Sequence, residues 1–319
     1  MTNELVTYYD DATGERFGLT APELGTWVAA TADLLINECG LRRGSRAGVL
    51  LPPHWQTAAV LLGAWAAGIE VSFRGWATAG LSGFSAEAGI AAEAGIAAEA
   101  GIAAGGGHST GSGHAPDAGA ALDVTFVERR RVGSWLDEVP AAPHQFVLGL
   151  APVGAAREGD VSFASERHHG SRAEGHRDLP PDGYHHLPPD GYRILPPDGH
   201  RDLPPDGHRH LPPEGYRDFL AAARAHLGAP PPVVSGVAQG MATVDGTTFG
   251  EYGAVAAEVA RSRGITAGDR VLIDTSSVEE PLIWLMAPLT AGASIVLCAN
   301  LDHSRLDQRI LAERVTRVL

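Results

Sequence analysis

Apolar side chains recur at helical spacing near the start of the chain, where Leu24, Trp27, Val28, Leu34 and Leu35 fall on one stripe. Thr20-Ala21-Pro22-Glu23 has capping-box spacing with proline in the first turn, so the stripe predicts a helix beginning there. Gly40 suits a left-handed cap at its end. Val49-Leu50-Leu51 is short, apolar and stopped by Pro52-Pro53, the pattern of a buried parallel strand. A second helix over residues 55–67 and a second strand over 69–73 follow.

The same pattern returns 224 residues later. Gly40, Gly44, Arg46, Ala67 and Gly68 map without a gap onto Gly264, Gly268, Arg270, Ala291 and Gly292. Thr248-Phe249-Gly250-Glu251 repeats the capping box, and Val271-Leu272-Ile273 repeats the buried strand. A helix over 281–290 and a strand over 294–297 complete the second copy. Its first helix is shorter, with 13 residues from Glu251 to Gly264 against 17 from Glu23 to Gly40. That difference is about one helical turn, which preserves the buried face. Two further strands, over 123–127 and 145–150, flank a short helix near Trp135. Such an echo argues for an internal duplication, and the order of elements predicts an α/β fold of two doubly wound parallel-sheet lobes.

Two low-complexity inserts interrupt this plan. Ala-Glu-Ala-Gly-Ile-Ala occurs three times between Ala86 and Ala103, and a glycine every sixth residue costs a helix about 1 kcal/mol each. A second insert repeats Leu-Pro-Pro-Asp-Gly every eight residues from Leu179, with Glu214 replacing the last Asp. Pro-Pro-Asp-Gly is turn chemistry with little apolar area to bury. The resulting division is 1–81 with 122–167 for the first lobe, 82–121 and 168–218 for the inserts, and 219–319 for the second lobe.

Composition narrows the function. The net charge of −14 disfavours a nucleic-acid partner. All 24 basic residues are arginine, so no lysine in this sequence can neutralise a phosphate or form a Schiff base. Cys39 and Cys298 fit neither a disulfide framework nor a metal spacing and are read as buried thiols. Eight of the 14 histidines lie between His168 and His210, but the octad slots hold no fixed ligand pattern, so no metal site is assigned. The N-terminus lacks a secretory pattern, and the uncharged stretch 281–299 is broken by Pro288 and Gly292. A cytoplasmic protein with no membrane partner is expected.

Arg46-Ala47-Gly48-Val49-Leu50-Leu51-Pro52 with Ala64-Trp65-Ala66-Ala67-Gly68 resembles an early pattern of the adenylate-forming enzymes, the acyl-CoA synthetase and luciferase superfamily. Gly268-Asp269-Arg270-Val271-Leu272, Pro288-Leu289-Thr290-Ala291-Gly292-Ala293 and Glu313-Arg314-Val315-Thr316 resemble the section after that superfamily's phosphate loop. The pattern is similar to a family of short proteins from high-GC Gram-positive bacteria related to these synthetases. The resemblance implies the fold of the large N-terminal domain, and it makes ATP or AMP the cofactor to expect; the residues themselves specify none.

The superfamily's phosphate loop is rich in Ser, Thr and Gly and ends in Pro-Lys-Gly. Here Val234-Ser235-Gly236-Val237-Ala238-Gln239-Gly240-Met241 keeps Ser235, Gly236 and Gly240 as phosphate-binding candidates but has neither the proline nor the lysine. Beyond Leu319 the superfamily pattern would continue into an aromatic-Gly-x-Thr-Glu motif, a ribose-binding aspartate and a lysine-bearing C-terminal domain.

No catalytic residue is therefore assigned. Ser235, Asp245 and His303 could be drawn as a hydrolytic triad, but no nucleophile elbow surrounds Ser235. His54, Thr275 and Ser276 follow buried strands, where open α/β sheets bind ligands, and are the pocket candidates; local turn and helix-capping roles compete with that reading. Glu279-Glu280 reads as a solvated first turn. The expected function is a catalytically degenerate acyl-CoA synthetase-like protein that binds a small ligand or a protein partner without turnover. The alternatives are a ligase completed by a partner chain and a His-rich interaction or metal-buffering protein.

Overall fold

A computed structural model describes residues 4–73, 121–133, 139–150, 211–232 and 240–319. The Ala/Gly repeats, the first four octads and the helix expected near Trp135 lie outside the described residues; the last octad, residues 211–218, is described, and its Arg217–Asp218 pair with a strand of the first sheet instead of belonging to an insert. The chain forms two five-stranded sheets. One carries β3 (Arg46–Leu50), β4 (Glu70–Phe73), β5 (Val124–Glu128), β6 (His144–Leu148) and β7 (Arg217–Asp218) in the order β4-β3-β5-β6-β7, all parallel. The other runs β10-β8-β9-β1-β2, from β1 (Glu4–Asp10), β2 (Glu15–Thr20), β8 (Arg270–Asp274), β9 (Ser294–Ala299) and β10 (Arg317–Val318). Its pairs are parallel except the β1–β2 hairpin.

The helices start where the sequence places them. Thr20 and Thr248 each accept from the backbone of a glutamate three residues on, and that glutamate reaches back to the cap N–H. They open α1 (Ala21–Asp33) and α4 (Phe249–Ser262). The residues by which the first copy exceeds the second do not add a regular turn. They form a π-helical segment, Leu34–Glu38, whose Leu34 and Leu35 are buried. α2 spans Trp55–Ala66, α3 Phe219–Arg224, α5 Ala287–Ala291 behind a second π segment (Leu282–Met286), and α6 Leu306–Glu313.

The echo is reproduced in single hydrogen bonds. Gly44 N–H donates to the Gly68 carbonyl, and Gly268 to Gly292, both at 3.0 Å. Glu70 donates to Ser45 and Ser294 to Asp269, both at 2.9 Å. Gly68 and Gly292 turn helix into strand at φ +75° and +77°, a left-handed conformation that strains any residue with a Cβ. The likeness extends to a third strand that the sequence match does not reach. β5 flanks β3 as β10 flanks β8, with Asp123 donating to Arg46 and Thr316 to Arg270, both at 2.9 Å.

Two segments cross the lobe limits read from the sequence. Residues 4–20 were grouped with the first lobe, yet β1 pairs with β9 and the hairpin completes the second sheet. Residues from 219 were grouped with the second, yet α3 packs on β6 and α1 directly after β7. The hairpin is fixed by charge as well as by pairing. Glu4, Arg16, Arg270 and Glu313 form a partly buried cluster joined by Tyr9 and Thr7. Arg309 grips Asp11 and lies 4.0 Å over the Tyr9 ring. One hydrophobic core then runs through both lobes, from Val49, Phe126 and Phe146 to Ile273, Trp284 and Ile295. Stretch 281–299 is part of that core, and among the described residues no helix is long and apolar enough to cross a membrane.

Candidate functional site

In an open parallel sheet the ligand crevice forms at the carboxyl ends of two neighbouring strands whose connections leave in opposite directions. In the first sheet that point lies between β3 and β5, because β3 is followed by β4 on one side while β5 lies on the other. The residues there are His54, just after β3, and Glu128 with Arg129–Arg131, at the end of β5. The glycines of the echo precede their strands and so lie at the opposite, amino edge.

His54 is 1% exposed and caps α2, its Nδ1 accepting from Gln56 N–H at 3.2 Å. A backbone N–H only donates, so Nδ1 is the acceptor and the ring proton sits on Nε2. That Nε2–H is buried and has no hydrogen-bond partner among the described residues. Burial pushes the His54 pKa down to about 3, against the opposing charge of Asp10. The imidazole is thus neutral near pH 7, a donor in search of an acceptor. A base is most effective with a pKa near the working pH, and this ring is far from it.

The surroundings come from both sheets. The Tyr8 ring of β1 meets His54 edge-on at 4.3 Å, and Trp55 stacks on Phe17 of β2 at 4.7 Å. Burial raises the Tyr8 hydroxyl, helped by the negative charge of Asp10, Glu15 and Glu128. Burial likewise raises the Glu128 carboxyl, against the opposing charge of Arg130 and Arg131. The Trp55 indole N–H and Gln56 Oε1 are also buried without a partner among the described residues. Buried polar groups are nearly always bonded, so these atoms mark a place for something that bonds to them. Sequence reasoning found His54 but missed Tyr8, Asp10 and Glu128. The signal for Glu128 was a charged residue closing an otherwise uncharged, mostly apolar strand. For Tyr8 and Asp10 it was the alternation of Val6, Tyr8 and Asp10 ahead of a Gly14 turn.

The other candidates lie elsewhere. Thr275 and Ser276 follow β8 at the carboxyl edge of the second sheet. Neither caps a helix, since the next helical segment starts behind Pro281. Thr275 N–H pairs with Cys298, and the Asp274 carboxylate takes both the N–H and hydroxyl of Ser276, at 2.9 and 2.7 Å. Gly240 sits at the amino edge of the first sheet, where an added Cβ would meet Arg43 at 2.8 Å. Ser235 and Gly236 lie outside the described residues. Asp245 is engaged by Thr243 and Thr247 in its own turn, and His303 is exposed in a 3-10 turn. Both cysteines are buried and their thiols pushed up, chiefly by burial. Among the described residues no cluster of His, Cys, Asp and Glu could hold a metal ion.

No protein-family model matches the chain. Over 322 residues it is 29% identical to a TIGR03089 family protein of Mycobacterium tuberculosis, covering 98% of this chain and 90% of that one. Among solved structures it is similar to the anthranilate CoA ligase AuaEII in complex with anthranoyl-AMP, at 12% identity and a TM-score of 0.51 over 98% of this chain and 44% of the ligase. It is also similar to a Rhodopseudomonas palustris protein assigned as a long-chain-fatty-acid CoA ligase, at 13% identity and a TM-score of 0.50 over 99% of this chain and 58% of that one. The chain thus spans about half the length of the solved structures it matches. The likeness shows the fold, that of the N-terminal domain of adenylate-forming enzymes.

Proposed function

We propose that this chain binds a small ligand at the carboxyl edge of its first sheet without itself turning it over. The observation that carries the reading is the buried, neutral His54 at the strand switch point, whose Nε2–H has no partner among the described residues. The ligand it fits presents an oxygen or ring nitrogen that accepts a hydrogen bond. On this scaffold AMP, ATP and acyl-CoA are the first compounds to test. The absence of turnover is supported by the sequence, which offers no lysine to neutralise the charge of a transferring phosphate, and by a histidine held at about 3. The fold likeness to CoA ligases admits one alternative, an adenylate-forming ligase completed by a partner chain.

A thermal-shift series tests the binding claim. A ligand seen only by the folded state at about a hundred times its Kd adds about 2.7 kcal/mol. That corresponds to a rise of roughly 5–10 °C for a protein this size. We expect at least one of the three compounds to produce such a rise, and His54→Phe to abolish it. No shift with any of them, or an equal shift in His54→Phe, would refute the assignment of this edge.

A further inference from the structure

We propose that His226 is a proton-operated latch that fastens the chain leaving the first sheet onto α1. Its ring lies between two carboxylates from a distant part of the sequence. Nδ1 is 2.7 Å from Asp33 Oδ2, and Nε2 is 2.7 Å from Glu38 Oε2. A neutral imidazole carries one N–H, so it would satisfy one carboxylate and turn a lone pair on the other. Only the imidazolium donates to both. The doubly protonated ring is therefore the form that this geometry requires.

The two ends of the latch belong to different segments. Asp33 closes α1 and Glu38 ends the π segment behind it. His226 lies in the turns that follow α3, where its N–H reaches Ala223 and its carbonyl accepts from Ala229. Its side chain is 14% exposed against 26% for Asp33 and 39% for Glu38, so protons reach it while water only partly screens the pair. The titratable and charged groups on the surrounding elements are Glu23 at the far end of α1 and Asp33 at its near end, Glu38 with the adjoining Cys39, Arg217 and Asp218 on β7, Arg224 on α3 and His144 on β6. Of these, Arg217 also pairs with Glu38, and Asn37 donates to Asp33 at 2.5 Å. What is lost on deprotonation is the His226 contact itself.

Electrostatics agree with the geometry. Burial alone would lower the His226 pKa, but the hydrogen bonds to Glu38 and Asp33, with their charges, hold it above 6.5. Glu38 is held below the usual carboxylate range, first by His226 and then by Arg217, against a burial effect in the other direction. A group whose pKa is raised on folding stabilises fully below its unfolded value and loses that contribution as pH rises through the folded one. The latch is closed in mildly acidic solution and opens on the alkaline side of 6.5.

Hydrogen exchange of the full chain, each amide scaled to its intrinsic rate, tests this at about pH 6 and about pH 9. Protection over residues 219–230 should be lower at the higher pH in the wild type. In His226→Gln it should be low at both. Equal scaled protection at the two pH values in the wild type would overturn the proposal, as would a pH dependence that survives in the variant. Should the variant not fold, an NMR titration of the wild-type ring decides. A midpoint above 6.5 supports the latch, and one at or below it removes the latch.

Discussion

At His54 the proton is the destabilising species. Its ring is enclosed, capped through Nδ1, and held at about 3 by burial, so protonation requires the fold to open or to bury a charge. A group whose pKa is depressed on folding, here from 6.5, contributes stability above its unfolded value and loses it as pH falls towards the folded one. His226 has the opposite sign, and its contribution fades on the alkaline side. We expect unfolding free energy to drop between neutral and about pH 4 by about 1.4 kcal/mol per pH unit more in the wild type than in His54→Asn. Asparagine keeps a side-chain acceptor for the cap but cannot ionise. Urea titrations across that range measure the slope, and identical acid slopes would show that His54 is not buried neutral. The position of His54 was legible, because Pro52-Pro53 ends an apolar strand and ligands gather at such ends. Its burial was not, since it depends on Tyr8 and on a hairpin that joins the other sheet.

Among the elements, the capped helices and buried strands could be read directly, because capping boxes and apolar runs are local signals. The hairpin of residues 4–20 escaped for the opposite reason. Its pairing with β9 brings together positions nearly the whole chain apart, and only a weak alternation announces it. The π segment at Leu34–Glu38 is a similar case: the echo shows extra residues but not how a helix absorbs them. The echo itself predicts matched behaviour. Gly68→Ala and Gly292→Ala should each destabilise by about 1–2 kcal/mol, because both hold left-handed φ. Gly68→Ala should cost more, as its Cβ would come within 3.2 Å of Arg43, whereas at Gly292 the nearest atom is 3.6 Å away. Chemical denaturation checks both, and a neutral effect at either position would break the correspondence of the two units.

For the whole molecule, the glycines, strands and caps shared by the two units specify the scaffold, and the glycines lie at the edge of the sheets away from the candidate site. The candidate site sits at the other edge and is assembled from strands of both sheets, which is why sequence spacing revealed only part of it. The central claim is a ligand-binding adenylate-forming fold in which this chain performs no activation chemistry. ATP–pyrophosphate exchange by the purified chain, with a panel of aromatic and aliphatic carboxylic acids, tests it most directly. The account predicts no label entering ATP above the protein-free control, while acid-dependent incorporation with any member of the panel would contradict it.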